Sequence, residues 1–386
     1  MRSFHLLFAA ALCLPGISTL AGASSCPPPT LPSADAADII QASARLLAGL
    51  QSVSTHGEEI RSMAFWTAHA KAMDGAWQRT RERQLNLWRA FSEREIDALE
   101  SARGPLFYPF SGPDFVYAHT LFPRAPRYLL VGLEDAGSAP RWTAMSEAQA
   151  AASLAQLRES TATLMRLSFF RTNSMKQDLK RGQLRGVAPV LMAMAARSGF
   201  DVRAVDEVRL DDSGALCAGT ANQAEVGGVR LVLAESGKEA LRELVYLQVD
   251  LSDRALARTP QFERHLKTLG NGPVFLKAAS YLLHKPYFGA TRNLVLERAR
   301  LVLQDDSGIP YQAYAPTEWS GRLYGAYVQP IGLFKARNQP ALRQAYARNA
   351  LPLDTGIGYS HRPGTSNLQL FEKRAARVTM QQAAMR

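Results

Sequence analysis

LFYPFSGPDFVYAHTLFPRAPRYLLVGLEDAGSAP, residues 106–140, reads as strand, Ser-Gly turn, short helix, strand and acidic turn. Phe107 to Phe110 is a short apolar run. Ser111-Gly112-Pro113 turns the chain, and Asp114 stands in the first turn of a helix, where a carboxylate offsets the positive end of the helix dipole. Pro123 and Pro126 end that helix. Tyr128 to Leu133 is continuously apolar, as expected of a strand covered on both faces, and Glu134-Asp135 follow it. A looser copy of this order returns at residues 274–310, VFLKAASYLLHKPYFGATRNLVLERARLVLQDDSGIP. Two such units predict an α/β (or α+β) fold: a mixed β-sheet with two β-α-β-like units and an N-terminal helical layer. If they form one motif used twice, Ser111 and Ser280 belong at corresponding strand ends of one sheet. A crevice would then open where the connections diverge.

Working outward, residues 37–103 read as helices, with Ile39, Ile40, Ala44, Leu46, Leu47 and Leu50 at helical spacing. A long helical stretch is predicted over Glu58–Phe91, and Ser92 with Glu95 has the form of a capping box restarting a helix at Ser92. Trp66, Trp77 and Trp88 recur every 11 residues, close to three helical turns, and predict a core stripe. Ser146 with Gln149 opens a further helix to about Leu167. Phe169 to Asn173 reads as a loop. From Asp201 the period becomes two: Val202–Leu210, Ala215–Ala218, Val229–Ala234 and Leu244–Val249 look like an antiparallel meander turned by Asp211-Asp212-Ser213-Gly214. Thr259-Pro260 starts a helix that stops at Gly270. Phe288–Arg298 and Gln339–Arg348 are helices, and Ile309–Tyr314 and Arg322–Gln329 are strands. The end beyond Gly364 reads as a fraying basic tail.

The N-terminus has the layout of an export signal, with Arg2, an apolar Leu6–Leu14 run and Ala21-Gly22-Ala23 as a cleavage site. Residues 1–23 are therefore assigned as leader, 24–36 as a Pro-rich tether, and 104–386 as the α/β domain. The alternative is a lipid anchor on Cys26. Export places the chain in the periplasm or outside the cell, where ATP, nicotinamide and methyl donors are scarce, so no cofactor is expected. Cys26 and Cys217 are the cysteines left after processing, and an oxidising compartment lets them pair. No later run reaches the length of a membrane-spanning helix. The formal charge of +11 favours acidic partners: an anionic envelope polymer, lipid head groups or nucleic acid, the last without a specific motif. The denser basic groups, Arg79, Arg81, Arg83 and Lys176, Lys180, Arg181, Arg185, read as solvated helix faces.

Standard catalytic and phosphate-binding motifs are absent, and no two histidines have metal-ligand spacing on one element, so no metal is expected. Lys277, Ser280 and His284 fall at i, i+3 and i+7, which on a helix is one face. A hydroxyl beside an imidazole or amine is a nucleophile in waiting, and these are the candidate catalytic residues. Ser111, Asp114, Glu134 and Asp305, at strand ends, are the candidate binding residues. The recurrence of Asp-Asp-Ser-Gly at 305–308 reads as a second hairpin turn. These residues support an exported protein that binds or hydrolyses an anionic or polar cell-envelope component, or a polar small molecule, in a crevice between the two units. The alternative is a non-catalytic structural or interaction component of the envelope. Ser280 and Asp114 are expected to be exposed, so that Ser280→Ala and Asp114→Asn would cost under about 0.5 kcal/mol.

Overall fold

The computed structural model describes residues 26–374 apart from 53, 168–183, 223–224, 236, 239 and 363. The leader, the Phe169–Asn173 loop, Lys176, Lys180, Arg181 and the end beyond residue 374 lie outside the described residues. Among the described residues, eleven strands form one mixed sheet. In chain order they are β1 Leu106–Tyr108, β2 Arg127–Gly132, β3 Phe200–Leu210, β4 Leu216–Ala218, β5 Gly227–Glu235, β6 Leu241–Gln248, β7 Gly272–Leu276, β8 Ala299–Gln304, β9 Trp319–Gly325, β10 Ala350–Leu351 and β11 Asn367–Lys373. Across the sheet the order is β10-β9-β11-β8-β7-β1-β2-β6-β5-β3-β4. The fold is α/β.

The five central strands, β8, β7, β1, β2 and β6, are parallel. A parallel sheet is covered on both faces, and alternate residues here enter two different cores. Tyr108, Leu130 and Phe275 lie in one, with the N-terminal helices and the Phe115–Leu121 helix. Phe107, Leu129 and Val274 lie in the other, with residues of the Pro260–Leu269 and Gly289–Arg298 helices. The two expected units are thus neighbours in one sheet, joined by the β1–β7 pair. The β1–β2 connection leaves on one face and the β7–β8 connection on the other, so β1 and β7 flank the point where the topology switches.

Local sequence explains much of the helical layer. Ser33 Oγ accepts from Ala36 N at 3.4 Å, and Gly49, at φ 67°, closes the Ala34–Ala48 helix. The expected Glu58–Phe91 stretch is one turn at Glu58–Arg61, helices at Ala64–Thr80 and Asn86–Glu95, and a π-helical segment at Arg81–Leu85 between them. Trp66, Trp77 and Trp88 are all buried. Ser92 starts nothing. It lies inside a helix, and its hydroxyl donates to Leu121 O at 2.7 Å, so a tertiary acceptor takes the group that the capping pattern assigned to a helix end. The pair at Ser146 is a true reciprocal cap: Ser146 N donates to Gln149 Oε1 at 2.8 Å and Gln149 N to Ser146 Oγ at 3.3 Å.

Four expectations change. The period-two region is not a simple meander, because β3 lies between β4 and β5 while β6 pairs parallel with β2. Asp305–Gly308 turns no hairpin: β8 pairs with β7 and β11, and β9 lies beyond β11. Tyr311–Ala313 is a 3₁₀ turn and not a strand. Asn367–Lys373, read as tail, is an interior strand. The proposed tether is also held: Cys26 is disulfide-bonded to Cys217, and Ala218 N donates to Pro27 O at 3.0 Å. No helix among the described residues is long and apolar enough to cross a membrane.

Candidate functional site

The C-terminal ends of β1, β2, β7 and β8 carry a buried cluster of charged and polar side chains. At the end of β1 the backbone enters the left-handed region at Phe110 (φ 61°) and Gly112 (φ 53°). Ser111 extends the β1–β2 ladder: its N–H donates to Val131 O at 2.9 Å and its Oγ accepts from Val131 N at 3.0 Å. The N–H and hydroxyl of that serine are both engaged by the sheet.

Asp114 caps the Phe115–Leu121 helix, with Oδ1 accepting from Tyr117 N at 3.3 Å. Its Oδ2 accepts from Tyr108 OH at 2.8 Å and from the Lys277 ammonium. The Asp114 and Lys277 side chains are each 1% exposed, and Lys277 Nζ also stands 3.9 Å from the centroid of the Tyr117 ring. Burial pushes the Lys277 pKa down, against the pull of Asp114 and Asp305. Burial, reinforced by Asp114, pushes the Tyr108 and Tyr117 phenols up. The expectation that Asp114 is exposed is therefore wrong: it holds the charge of a lysine from the other unit.

Lys277, Ser280 and His284 do not share a helical face. After β7 the backbone takes positive φ at Ala278 (49°), Ser280 (52°) and Tyr281 (53°), and helical geometry begins only in the short 3₁₀ turn Leu282–His284. Left-handed backbone is costly for residues with a Cβ. Here tertiary bonds enforce it: Ala278 N donates to Asp305 Oδ2 at 2.9 Å and Ala279 N to Ser307 Oγ at 2.8 Å. Ser280 Oγ shares a 2.5 Å hydrogen bond with Tyr359 OH, so its partner is a phenol and not His284. The His284 ring meets Tyr281 edge-on at 5.1 Å. Burial, then the charge of Arg337, lowers its pKa to about 4, which keeps it neutral.

At the end of β8, Asp305 Oδ1 accepts from Ser307 N at 3.0 Å and Ser307 Oγ at 2.5 Å. Asp306 accepts from the Tyr281 hydroxyl and, at 2.9 Å, from Asn367 Nδ2 of β11. Burial, then repulsion from Asp306, raises the Asp305 pKa to about 7, and burial raises that of Asp306. Glu134, at the end of β2, turns the other way: its Oε2 accepts from Leu133 N and Tyr246 OH, each at 3.1 Å. A Cβ at Gly132 would lie 2.4 Å from that oxygen and 2.7 Å from the Tyr246 hydroxyl, so a side chain there would displace the Glu134 carboxylate.

Asp114, Lys277 and Asp305 are thus brought together, with Ser280 beside them. Ser111 and Glu134 flank the group with partners of their own, and His284 packs edge-on against Tyr281 beside the Asp306 and Gly308 backbone. Sequence reasoning missed Tyr108, Tyr117, Tyr281, Asp306, Asn367 and the covering loop. In that loop Gly358 (φ 64°) lies so close that a Cβ would stand 2.0 Å from Asp305 Oδ2 and 3.6 Å from Lys277 Cγ. The nearest signal was the pair of glycines in Thr355-Gly356-Ile357-Gly358-Tyr359, spacing that lets backbone approach a buried group.

An open cleft of about 960 Å³ lies elsewhere, in the helical layer, lined by Ile39, Leu46, Ile60, Met63, Trp142 and Met145 among others. Among the described residues, the side chains of metal-binding type that converge are Cys26, Cys217 and Asp211, where the two sulfurs are bonded to each other. Chemically, the strand-end cluster offers a carboxyl group that exchanges a proton near neutral pH beside a charge-compensated lysine. No family model matches the chain, and neither a curated protein nor a solved structure matches it.

Proposed function

We propose that this is an exported protein that binds or hydrolyses a polar component of the cell envelope at the β1/β7 switch point. The observation that carries the reading is the concentration of backbone strain: the non-glycine residues with positive φ among the described residues, Phe110, Ala278, Ser280 and Tyr281, all stand at the ends of β1 and β7, around the Lys277–Asp114 pair. Strain of this kind persists where the surrounding structure holds it, and it gathers at working sites. Asp305, with its pKa near 7, is the proton donor or acceptor. Lys277 is already matched by Asp114, and Asp305 and Asp306 add negative charge. An uncharged or cationic ligand therefore suits the crevice better than the anionic one expected from net charge. The Gly358 loop covers the cluster, so entry requires that loop to shift. The Cys26–Cys217 bridge supports an oxidising compartment, and a sulfur in a disulfide is not free to carry a lipid, which favours simple cleavage over an anchor at Cys26.

Calorimetric titration with neutral, cationic and anionic envelope fragments tests the reading, with product analysis of the same mixtures separating hydrolysis from binding. Neutral or cationic fragments should bind, roughly tenfold more weakly to Asp305→Asn. Binding of anionic fragments alone, or equal affinity in the variant, rules it out. A second reading, a non-catalytic interaction component, draws on the burial of the cluster and on the apolar cleft in the helical layer.

A further inference from the structure

The edge of the sheet that carries the cluster also carries an unusual surface. β9 runs antiparallel to β11, which runs antiparallel to β8, so β9 ends at the same edge as β7 and β8. The loop that follows, residues 326–339, presents Val328 at 70% exposure and Leu333 at 82%, the two most exposed large hydrophobic residues among those described. Leu133, just past β2, Tyr287, in the connection leaving β7, and Leu351, at the end of β10, are exposed on the same edge. A single exposed leucine needs no explanation, but a set gathered on one edge does.

The loop is fixed from below. Phe334 turns inward, its ring centroid 4.8 Å from that of Tyr281 and 5.1 Å from that of Tyr359, so its neighbour Leu333 is held facing outward. Along the loop and the helix after it the charge has one sign, although exposed Asp354 and Asp135 stand elsewhere on the same edge. From Trp319 to Leu353 the chain carries Arg322, Lys335, Arg337, Arg343 and Arg348 and no aspartate or glutamate. Arg322 pairs with Glu95, while Lys335, Arg343 and Arg348 are exposed.

We propose that the β9–β10 loop docks this edge of the molecule onto an anionic lipid bilayer. Val328 and Leu333 enter the boundary between head groups and acyl chains, and the basic residues meet lipid phosphates. A soluble polyanion would satisfy the charges and give Val328 and Leu333 nothing, so the apolar tips favour the bilayer. Docked in this way, the covered crevice faces the membrane surface.

The test is co-sedimentation of the processed protein with vesicles of phosphatidylglycerol and phosphatidylethanolamine, against vesicles of phosphatidylcholine alone. The anionic vesicles should bind it more tightly. Leu333→Asp should weaken that binding roughly tenfold without moving the thermal midpoint, since the side chain is exposed. Leu333→Trp should shift its emission to the blue on addition of the same vesicles. Absence of vesicle binding overturns the proposal. So does equal binding by Leu333→Asp, which would indicate attraction by net charge alone, or an unchanged Leu333→Trp spectrum. Binding to a soluble polyanion such as heparin that matches vesicle binding, with the same indifference to Leu333→Asp, overturns it as well.

Discussion

The tetrapeptide Asp-Asp-Ser-Gly occurs at 211–214 and at 305–308, and the two copies make the same turn in opposite surroundings. In each, the first aspartate's Oδ1 accepts from the serine N–H, at 2.9 Å and 3.0 Å, and from the serine hydroxyl, at 2.6 Å and 2.5 Å. The fourth residue differs. Gly214 takes φ 85° and sends the chain back as β4 beside β3. Gly308 is not left-handed, and the chain leaves the sheet. The second residue differs most: Asp212 is exposed, while Asp306 is buried beneath Tyr281 and Asn367. Identical sequence therefore fixes the local turn around a buried first aspartate, and the partners supplied from elsewhere decide whether the second acid is solvated, as Asp212 is, or buried in a polar cluster, as Asp306 is.

The largest test removes the cation that makes burial tolerable. Lys277→Met leaves Asp114 and Asp305 without compensation, and urea denaturation should show a loss of about 3–5 kcal/mol. Asp114→Asn, expected from sequence to be mild, should also destabilise clearly.

The next effect is a slope. The pKa of Asp305 is raised on folding, from its ordinary value to about 7. The folded chain therefore keeps a proton that the unfolded chain gives up from about pH 4 upward. That contribution is fully present below about pH 4 and lost as pH rises through about 7. His284, lowered to about 4, has the opposite sign between about pH 4 and 6.5, so the difference between wild type and Asp305→Asn cancels the histidine and reports the interacting Asp305–Asp306 pair. Relative to Asp305→Asn, wild type should lose on the order of a few kcal/mol between pH 4 and 8. A flat difference would mean that Asp305 resembles a solvated turn acid.

Smaller again, Asp306→Ala strands the Tyr281 hydroxyl and the Asn367 amide, at about 1–3 kcal/mol, while Asp212→Ala should stay within about 0.5 kcal/mol. Equal losses by thermal denaturation would erase the contrast between the turns. Ser280→Ala, which removes one half-buried hydrogen bond to Tyr359, should cost about 1 kcal/mol.

The sequence made the two central units legible because their strands are short continuous apolar runs with breakers at both ends. It also placed Asp114 and Asp305 at strand ends of the two units, but it put Lys277 on a helix that does not form. The turn around Ser280 was not legible. Its alanines and leucines favour helix, and only the pull of Asp305 and Ser307 on the N–H groups of Ala278 and Ala279 overrides them. The second hairpin was misread because the local signal of the tetrapeptide is genuine and says nothing about which strand lies next. β11 was missed because buried Asn367 and Gln369 imitate a polar tail. Their partners, Asp306 and Gln304, lie more than 60 residues away.

The placement of β11 has a consequence for the order of assembly. Asn367–Lys373 lies between β8 and β9, so β9 and β10 join the sheet only through a segment made long after β8. Asp306 gains its Asn367 partner at the same moment. A chain emerging from the ribosome can form the β3–β6 region early, while the site side of the sheet stays open until residue 373 has been synthesised. Contacts so distant in sequence are slow to form. Such a chain completes its sheet only when the last strand has been made and inserted between β8 and β9.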